Sequence, residues 1–407
     1  MPRAGNDRFI GGHHVELLRC GAEYFPALLR AIGEARREIF LESYIFADDA
    51  VGCSVADALC AAARRGVAVR VLVDGFGARH FPEKFGARFL ESGARYLVYR
   101  AEIARFSLHR YRLRRLHRKL VALDGRVAFI GGINIIDDDN TPPGMGARFD
   151  YAARVEGPIL AHILAAMRRT WEAVALASFQ RRLRLPGFSW AESVAPTPES
   201  AQGQKVMFLP RNNFYRRGSI PNAYLDALRW AKRSVTLANA YFLPGWRFRN
   251  ALLAAARRGV RVTLLVQGKS DHPLLHYATE ALYDHLIAAG IRVFYYRSGF
   301  LHAKVAVVDE RWATVGSSNI DPLSLFMAKE SNIAVLDEAF ARQLSESLCL
   351  AIRHDTTERA FGRQSFFSRC AGWLCYGLAR LLADLIGYGH WHNSAAKAPR
   401  VASEPER

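Results

Sequence analysis

Short apolar runs rich in β-branched and aromatic residues alternate along this chain with longer stretches whose apolar positions recur every three or four residues. The runs IFLESYIF (39–46) and SVTLANAYF (234–242) read as buried strands. Each leads into an amphipathic helix that closes on Arg-Arg-Gly and a second β-branched strand: ALCAAARRGVAVRVLVDG (58–75) and ALLAAARRGVRVTLLVQG (251–268). A further helix, a glycine and a third strand follow in both places, SGARYLVY (92–99) and AGIRVFYY (289–296). Strand–helix alternation of this kind predicts an α/β fold with largely parallel, buried sheets.

The two stretches are copies. Thirteen of their eighteen positions are identical at an offset of 193 residues, so the chain is a duplicated unit. One copy is expected over 13–180 and the other over 206–355. A Pro/Ser/Gly-containing linker (181–205) lies between them, and a separate tail covers 356–407. The 407 residues suffice for two cores, and 50% apolar with 23% charged residues is the composition of a globular protein.

After the third strand of each copy stands the same pattern, H-x-K-x4-D-x6-G-[GS]-x-N. In HRKLVALDGRVAFIGGIN it supplies His117, Lys119, Asp124, Gly131, Gly132 and Asn134; in HAKVAVVDERWATVGSSN it supplies His302, Lys304, Asp309, Gly316, Ser317 and Asn319. The run after each lysine is apolar and β-rich, so period two points each His and its Lys to one face. A nitrogen nucleophile beside an ammonium group suits attack on a phosphodiester, the cation holding the non-bridging oxygens. Asp124 and Asp309 lie an odd seven residues beyond their histidines. The motif groups them with the catalytic residues, but the offset favours a supporting role. The small Gly-Gly and Gly-Ser pairs permit close backbone approach, and Asn134 and Asn319 can donate amide hydrogens to phosphate oxygens.

These paired motifs resemble the phospholipase D superfamily. Over residues 13–355 the likeness is to its bacterial cardiolipin synthases of the B type, carried also by DYAARVEGP, ANAYFLPG and WATVGSSNIDPLS. The resemblance implies two similar α/β/α units packed around one shared active site with both histidines facing the same phosphate. It implies a phosphatidyl-histidine intermediate and no metal or other cofactor. By family habit His117 is the nucleophile and His302 the acid/base. Acidic residues downstream of each motif, by position Asp150 and Glu330, would orient the histidines. That one is Asp and the other Glu makes the halves not strictly equivalent.

Charge bears on partners. Lys+Arg number 56 and Asp+Glu 38, so 56 − 38 = +18, and only eight of the basic residues are lysine. A field of this sign attracts the phosphates of nucleic acid or of anionic lipid. The Arg-rich insertion AEIARFSLHRYRLRRL (101–116), which the second copy lacks, reads as a solvated loop or as an edge that docks on anionic lipid. Residues 365–391, SFFSRCAGWLCYGLARLLADLIGYGHW, are too charged to span a bilayer. They fit an interfacial amphipathic element or a packed terminal helix. No apolar h-region opens the chain and no uncharged run reaches the ~18–20 residues of a spanning helix, which predicts a non-exported, peripheral protein. The six scattered cysteines suggest neither disulfides nor zinc. Glu42 and Asn239, on the first strands of the two copies and followed by Tyr44 and Tyr241, read as pocket-lining or as core polar residues. Asp137, Asp138 and Asp139 read as a turn, and His13, His14, His80, His272 and His276 as surface or satisfied core residues.

Three activities fit. One is transfer of a phosphatidyl group between two phosphatidylglycerol molecules, giving cardiolipin and glycerol at the cytoplasmic face of a bacterial membrane. The others are phospholipase D-type hydrolysis and phosphodiester cleavage in nucleic acid. Internal duplication and the apolar tail favour lipid over nucleic acid, so anionic phospholipid and the membrane surface are the expected partners, with no nucleic acid. No oligomeric state is assigned.

Overall fold

The computed structural model describes residues 8–100, 114–187, 203–211, 218–268, 273–321 and 328–361. The first half runs β1 (Ile10–Arg19), α1 (Cys20–Glu34), β2 (Glu38–Ser43), α2 (Ala50–Arg64), β3 (Ala68–Asp74), α3 (Phe81–Ser92), β4 (Arg95–Tyr99), β5 (Arg115–Leu116), β6 (Leu120–Leu123), β7 (Val127–Gly131), β8 (Arg148–Phe149), β9 (Tyr151–Glu156) and α4 (Leu160–Ala177). The second runs β10 (Gln204–Arg211), α5 (Ser219–Trp230), β11 (Ser234–Asn239), α6 (Trp246–Arg257), β12 (Arg261–Gln267), α7 (Pro273–Ala288), β13 (Arg292–Tyr296), β14 (Phe300–Leu301), β15 (Lys304–Val308), β16 (Trp312–Gly316), β17 (Ala328–Leu336), α8 (Glu338–Asp355) and β18 (Thr356–Glu358).

The strand order β4-β3-β2-β6-β7-β9-β1 is repeated as β13-β12-β11-β15-β16-β17-β10, and antiparallel pairing of β1 with β10 fuses the halves into one sheet. The α/β class holds, but the sheets are mixed rather than largely parallel. β2, β3 and β4 run parallel because helices cross between them. The motif half is antiparallel because β6 returns as β7 through Asp124-Gly125, both at positive φ (55° and 67°), the mirror-image turn that suits a hairpin. Asp309-Glu310 makes the same turn in the second copy.

Two apolar clusters lie under α1–α3 and α5–α7, one per half. A third, beneath α4 and α8, draws on both halves. The repeated Arg-Arg-Gly has a structural reason. Gly66 and Gly259 take the left-handed conformation that ends each helix (φ 91° and 86°). The preceding arginine reaches back to carbonyls closing the previous helix, Arg65 to Ile32 and Gly33, Arg258 to Leu228.

Two boundaries shift. Part of the expected linker is packed: Arg181–Leu183 form a short 3-10 turn, and the Trp171 indole donates to the Leu183 carbonyl at 2.7 Å. At the other end β18 pairs with β13, so the second unit extends past 355. Residues 101–113 of the Arg-rich insertion and the 365–391 tail lie outside the described residues, as do His272 and the side chain of His276. His13 is a satisfied core residue, its Nε2 accepting from Ile159 N–H at 2.9 Å. Asp138 serves a turn, accepting from Gly21 N–H at 2.6 Å.

Candidate active site

The residues that lead into each histidine are held by the opposite half. β5 runs parallel to the start of β17, and the His117 N–H donates to the Lys329 carbonyl at 3.0 Å. Likewise β14 runs parallel to β8, and the His302 N–H donates to the Phe149 carbonyl at 2.9 Å. Lys329 and Phe149 immediately precede Glu330 and Asp150, so this exchange decides which acid meets which histidine. The pairing is crossed. His302 Nδ1 lies 2.5 Å from Asp150 Oδ2, and His117 Nδ1 lies 2.9 Å from Glu330 Oε1. The His302 contact has hydrogen-bond geometry; the His117 contact is at ion-pair distance but out of line.

Each lysine folds back beneath its own histidine. Lys119 Nζ donates to the His117 carbonyl at 2.7 Å, and Lys304 Nζ donates to that of His302. Both ammonium groups are buried, whereas the imidazoles keep 18% and 14% of their side-chain surface open. Tyr44 walls the site at 4.9 Å from the His117 ring and 5.4 Å from Lys119 Nζ.

The Asp/Glu difference has a local counterpart. A Cβ on Gly132 would overlap the Asp150 carboxylate, while at the matching position the Ser317 hydroxyl donates to Glu330. The short acid needs a glycine beside it; the long one leaves room for a hydroxyl. Asn134 Oδ1 accepts from Ile45 N–H at 3.0 Å, so its carbonyl end fixes the loop after β2.

Asp124 and Asp309 do not join the histidines. They sit at the far ends of β6 and β15. There Asp124 accepts from the N–H groups of Arg36, Arg37 and Glu38, and Asp309 from those of Lys232, Arg233 and Ser234. Burial works to raise both carboxyls, but these donors outweigh it and hold them below the usual carboxylate range. The odd offset had this reason. Asp124→Ala should lower stability by about 3 kcal/mol, since three donors lose a charged acceptor. Thermal unfolding by circular dichroism checks this; an unchanged transition would contradict it.

Glu42 and Asn239 are not counterparts, because β2 places Glu42 opposite Leu120 and β11 places Asn239 opposite Lys304. Glu42 faces away from the imidazoles and pairs with buried Arg118 at 2.9 Å; Asn239 Oδ1 accepts from Ile320 N–H at 3.1 Å. The true matching pair went unnoticed. Asp74 Oδ2 accepts from Leu116 N–H at 2.8 Å, and Gln267 Oε1 from Leu301 N–H at 2.7 Å, each fixing the residue before its histidine. They end the duplicated strands VRVLVDG and VTLLVQG at aligned positions. A polar residue closing an apolar strand in both copies was the available signal.

Burial dominates the electrostatics. It pulls Lys119 down to about 7 and Lys304 to about 8, and pushes Asp150 up to about 6. It also lowers His117, and places His302, which faces both lysines, well below the usual histidine range. Four nitrogen bases around two carboxylates make a site that gains from a bound anion. Among the described residues no group of three or more His, Cys, Asp or Glu side chains is placed to share a metal ion.

The chain matches the family model described as "Cardiolipin synthase, PLD-like domain" over residues 28–171 and 224–349. It is 37% identical to cardiolipin synthase B of Escherichia coli K12, over 96% of this chain and 92% of that protein. It is 29% identical to cardiolipin synthase A of Proteus mirabilis, over 92% and 76%. Its fold is similar to the crystal structure of phosphatidylserine synthase from Haemophilus influenzae Rd KW20, with a TM-score of 0.69, 14% identity and coverage of 93% and 96%. With two family-model matches falling on the two halves that exchange their acids, and near full-length likeness beside them, the chain belongs to the cardiolipin synthase family with phospholipase D-like domains.

Proposed function

We propose that this chain is a phosphatidyltransferase that makes cardiolipin from two molecules of phosphatidylglycerol, and that His117, Lys119, His302, Lys304, Asp150 and Glu330 carry the reaction. The observation that carries the mechanism is the crossed contact of each Nδ1 with a carboxylate, which leaves both Nε2 atoms for substrate. Bound phosphodiester adds a further anion beside the buried lysines, of which Lys304 lies 4.0 Å from Asp150, and favours a proton on one imidazole. His117 Nε2 attacks phosphorus. The bond to the glycerol headgroup breaks as His302 Nε2–H protonates the departing oxygen, leaving phosphatidyl-His117 and free glycerol. A headgroup hydroxyl of a second phosphatidylglycerol then gives its proton to His302 and attacks phosphorus; the P–N bond breaks and cardiolipin leaves. Asn134, Asn319, Gly132 and Ser317 support the phosphate and the acids.

The +18 charge supports docking on anionic lipid, and among the described residues no helix is long and apolar enough to cross a membrane. Peripheral attachment at the cytoplasmic face is the reading adopted. Purified enzyme with labelled phosphatidylglycerol vesicles should yield cardiolipin and glycerol in equal amounts. Phosphatidic acid as the main product would favour hydrolysis instead.

The pH profile should be bell-shaped. Lys119 and Lys304 lose their charge as pH rises through about 7 and about 8, weakening phosphate binding, and Asp150 is protonated below about 6, releasing its hold on His302. Initial rates on mixed micelles should therefore give kcat/KM falling below pH about 6 and, as first Lys119 and then Lys304 discharge, above about 7. A rate still climbing at pH 9 would contradict this.

A further inference from the structure

A second cluster of cations lies at the opposite end of the first-half strands from the histidines. Arg37, Arg70 and Arg168 surround a cavity of about 390 Å³ floored by Asp124 and Gly125 and lined also by Glu38, Ala68 and Leu164. Asp124 keeps its negative charge while accepting from three backbone N–H groups, so the three lining guanidinium groups face two lining carboxylates, and the one whose ion-pair partners are Arg70 and Arg168 is Glu38. It lies 2.7 Å from Arg168 but only 3.9 Å from Arg70. Arg70 otherwise rests on the Phe40 ring at 5.1 Å, and the same Nη1 that approaches Glu38 reaches the Ala68 carbonyl at 3.5 Å.

The duplication supplies a control. In the first copy the Arg37 guanidinium donates to the Asp124 carbonyl, and the second copy builds the same hairpin with Arg233 donating to the Asp309 carbonyl, yet strand register puts Ser234 where the first copy has Glu38 and Thr263 where it has Arg70. The fold therefore does not require this cluster. Convergent guanidinium groups in excess of their acids, in a cavity of headgroup size, match a tetrahedral oxyanion bound by paired N–H donors.

We propose that this cavity is a second phosphate-binding site, separate from the catalytic one, in which Arg70 and Arg168 hold a phosphate group. The inference does not depend on the activity assigned above. It is tested on the full-length enzyme by calorimetric titration with inorganic phosphate and, separately, with dihexanoyl phosphatidylglycerol below its micelle concentration. Arg70→Gln with Arg168→Gln should abolish one binding event and leave unchanged the inhibition of turnover by phosphate, which reads the catalytic site. Glu38→Gln, which removes the competing carboxylate, should tighten the same event at least about threefold and guards against a misfolded arginine variant. The probe bound more tightly identifies the source, a soluble phosphate or a lipid headgroup. Binding of neither probe at this site, or affinities that ignore both substitutions, would overturn the proposal.

Discussion

Alanine in place of His117 or His302 is expected to lower kcat for lipid turnover by at least about 10³-fold, because in the proposed mechanism one change removes the nucleophile and the other the proton carrier. Both imidazoles keep part of their side-chain surface open to the site, so the folded state should survive, as unchanged circular dichroism would verify. The two losses should part company on a phosphatidyl ester of p-nitrophenol, whose leaving group departs without a proton. His302→Ala should still release one equivalent of nitrophenolate in a burst and then stall; His117→Ala should release none. The opposite pattern would exchange the two roles, and activity above about a tenth of wild type in either variant on phosphatidylglycerol would remove the two-histidine site.

Glu330→Gln and Asp150→Asn should each lower kcat by about 10²–10⁴-fold, because a neutral amide neither stabilises an imidazolium nor selects the working tautomer. The crossing makes their signatures specific. Glu330 meets His117, so Glu330→Gln should lose the nitrophenolate burst; Asp150 meets His302, so Asp150→Asn should keep it. If each acid served the histidine of its own half, the two results would be reversed.

That crossing was not legible in the sequence. The resemblance to the phospholipase D superfamily implied Asp150 and Glu330 as the acids after the motifs, without saying which histidine each meets. The contact itself is decided by two-residue strands, β5 on β17 and β14 on β8, too short to leave a hydrophobic period. Other features were readable. The odd offset of Asp124 and Asp309 pointed to a supporting role away from the phosphate, and the copied Arg-Arg-Gly marked real helix termini. The strand sense could have been read from Asp124-Gly125, a hairpin signal that argues against an all-parallel sheet. Asp74 and Gln267 escaped because their shared task depends on a side-chain oxygen, which carboxylate and amide both possess, rather than on charge.

The covalent intermediate gives the most direct test of phosphatidyl transfer through one shared site. Wild-type enzyme mixed with phosphatidylglycerol and quenched in denaturant at alkaline pH, where the P–N bond persists, should gain the mass of one phosphatidyl group. Peptide mapping should place it on His117, with one equivalent of glycerol already released. An enzyme that turns over while its histidines stay unmodified under this quench would contradict the account.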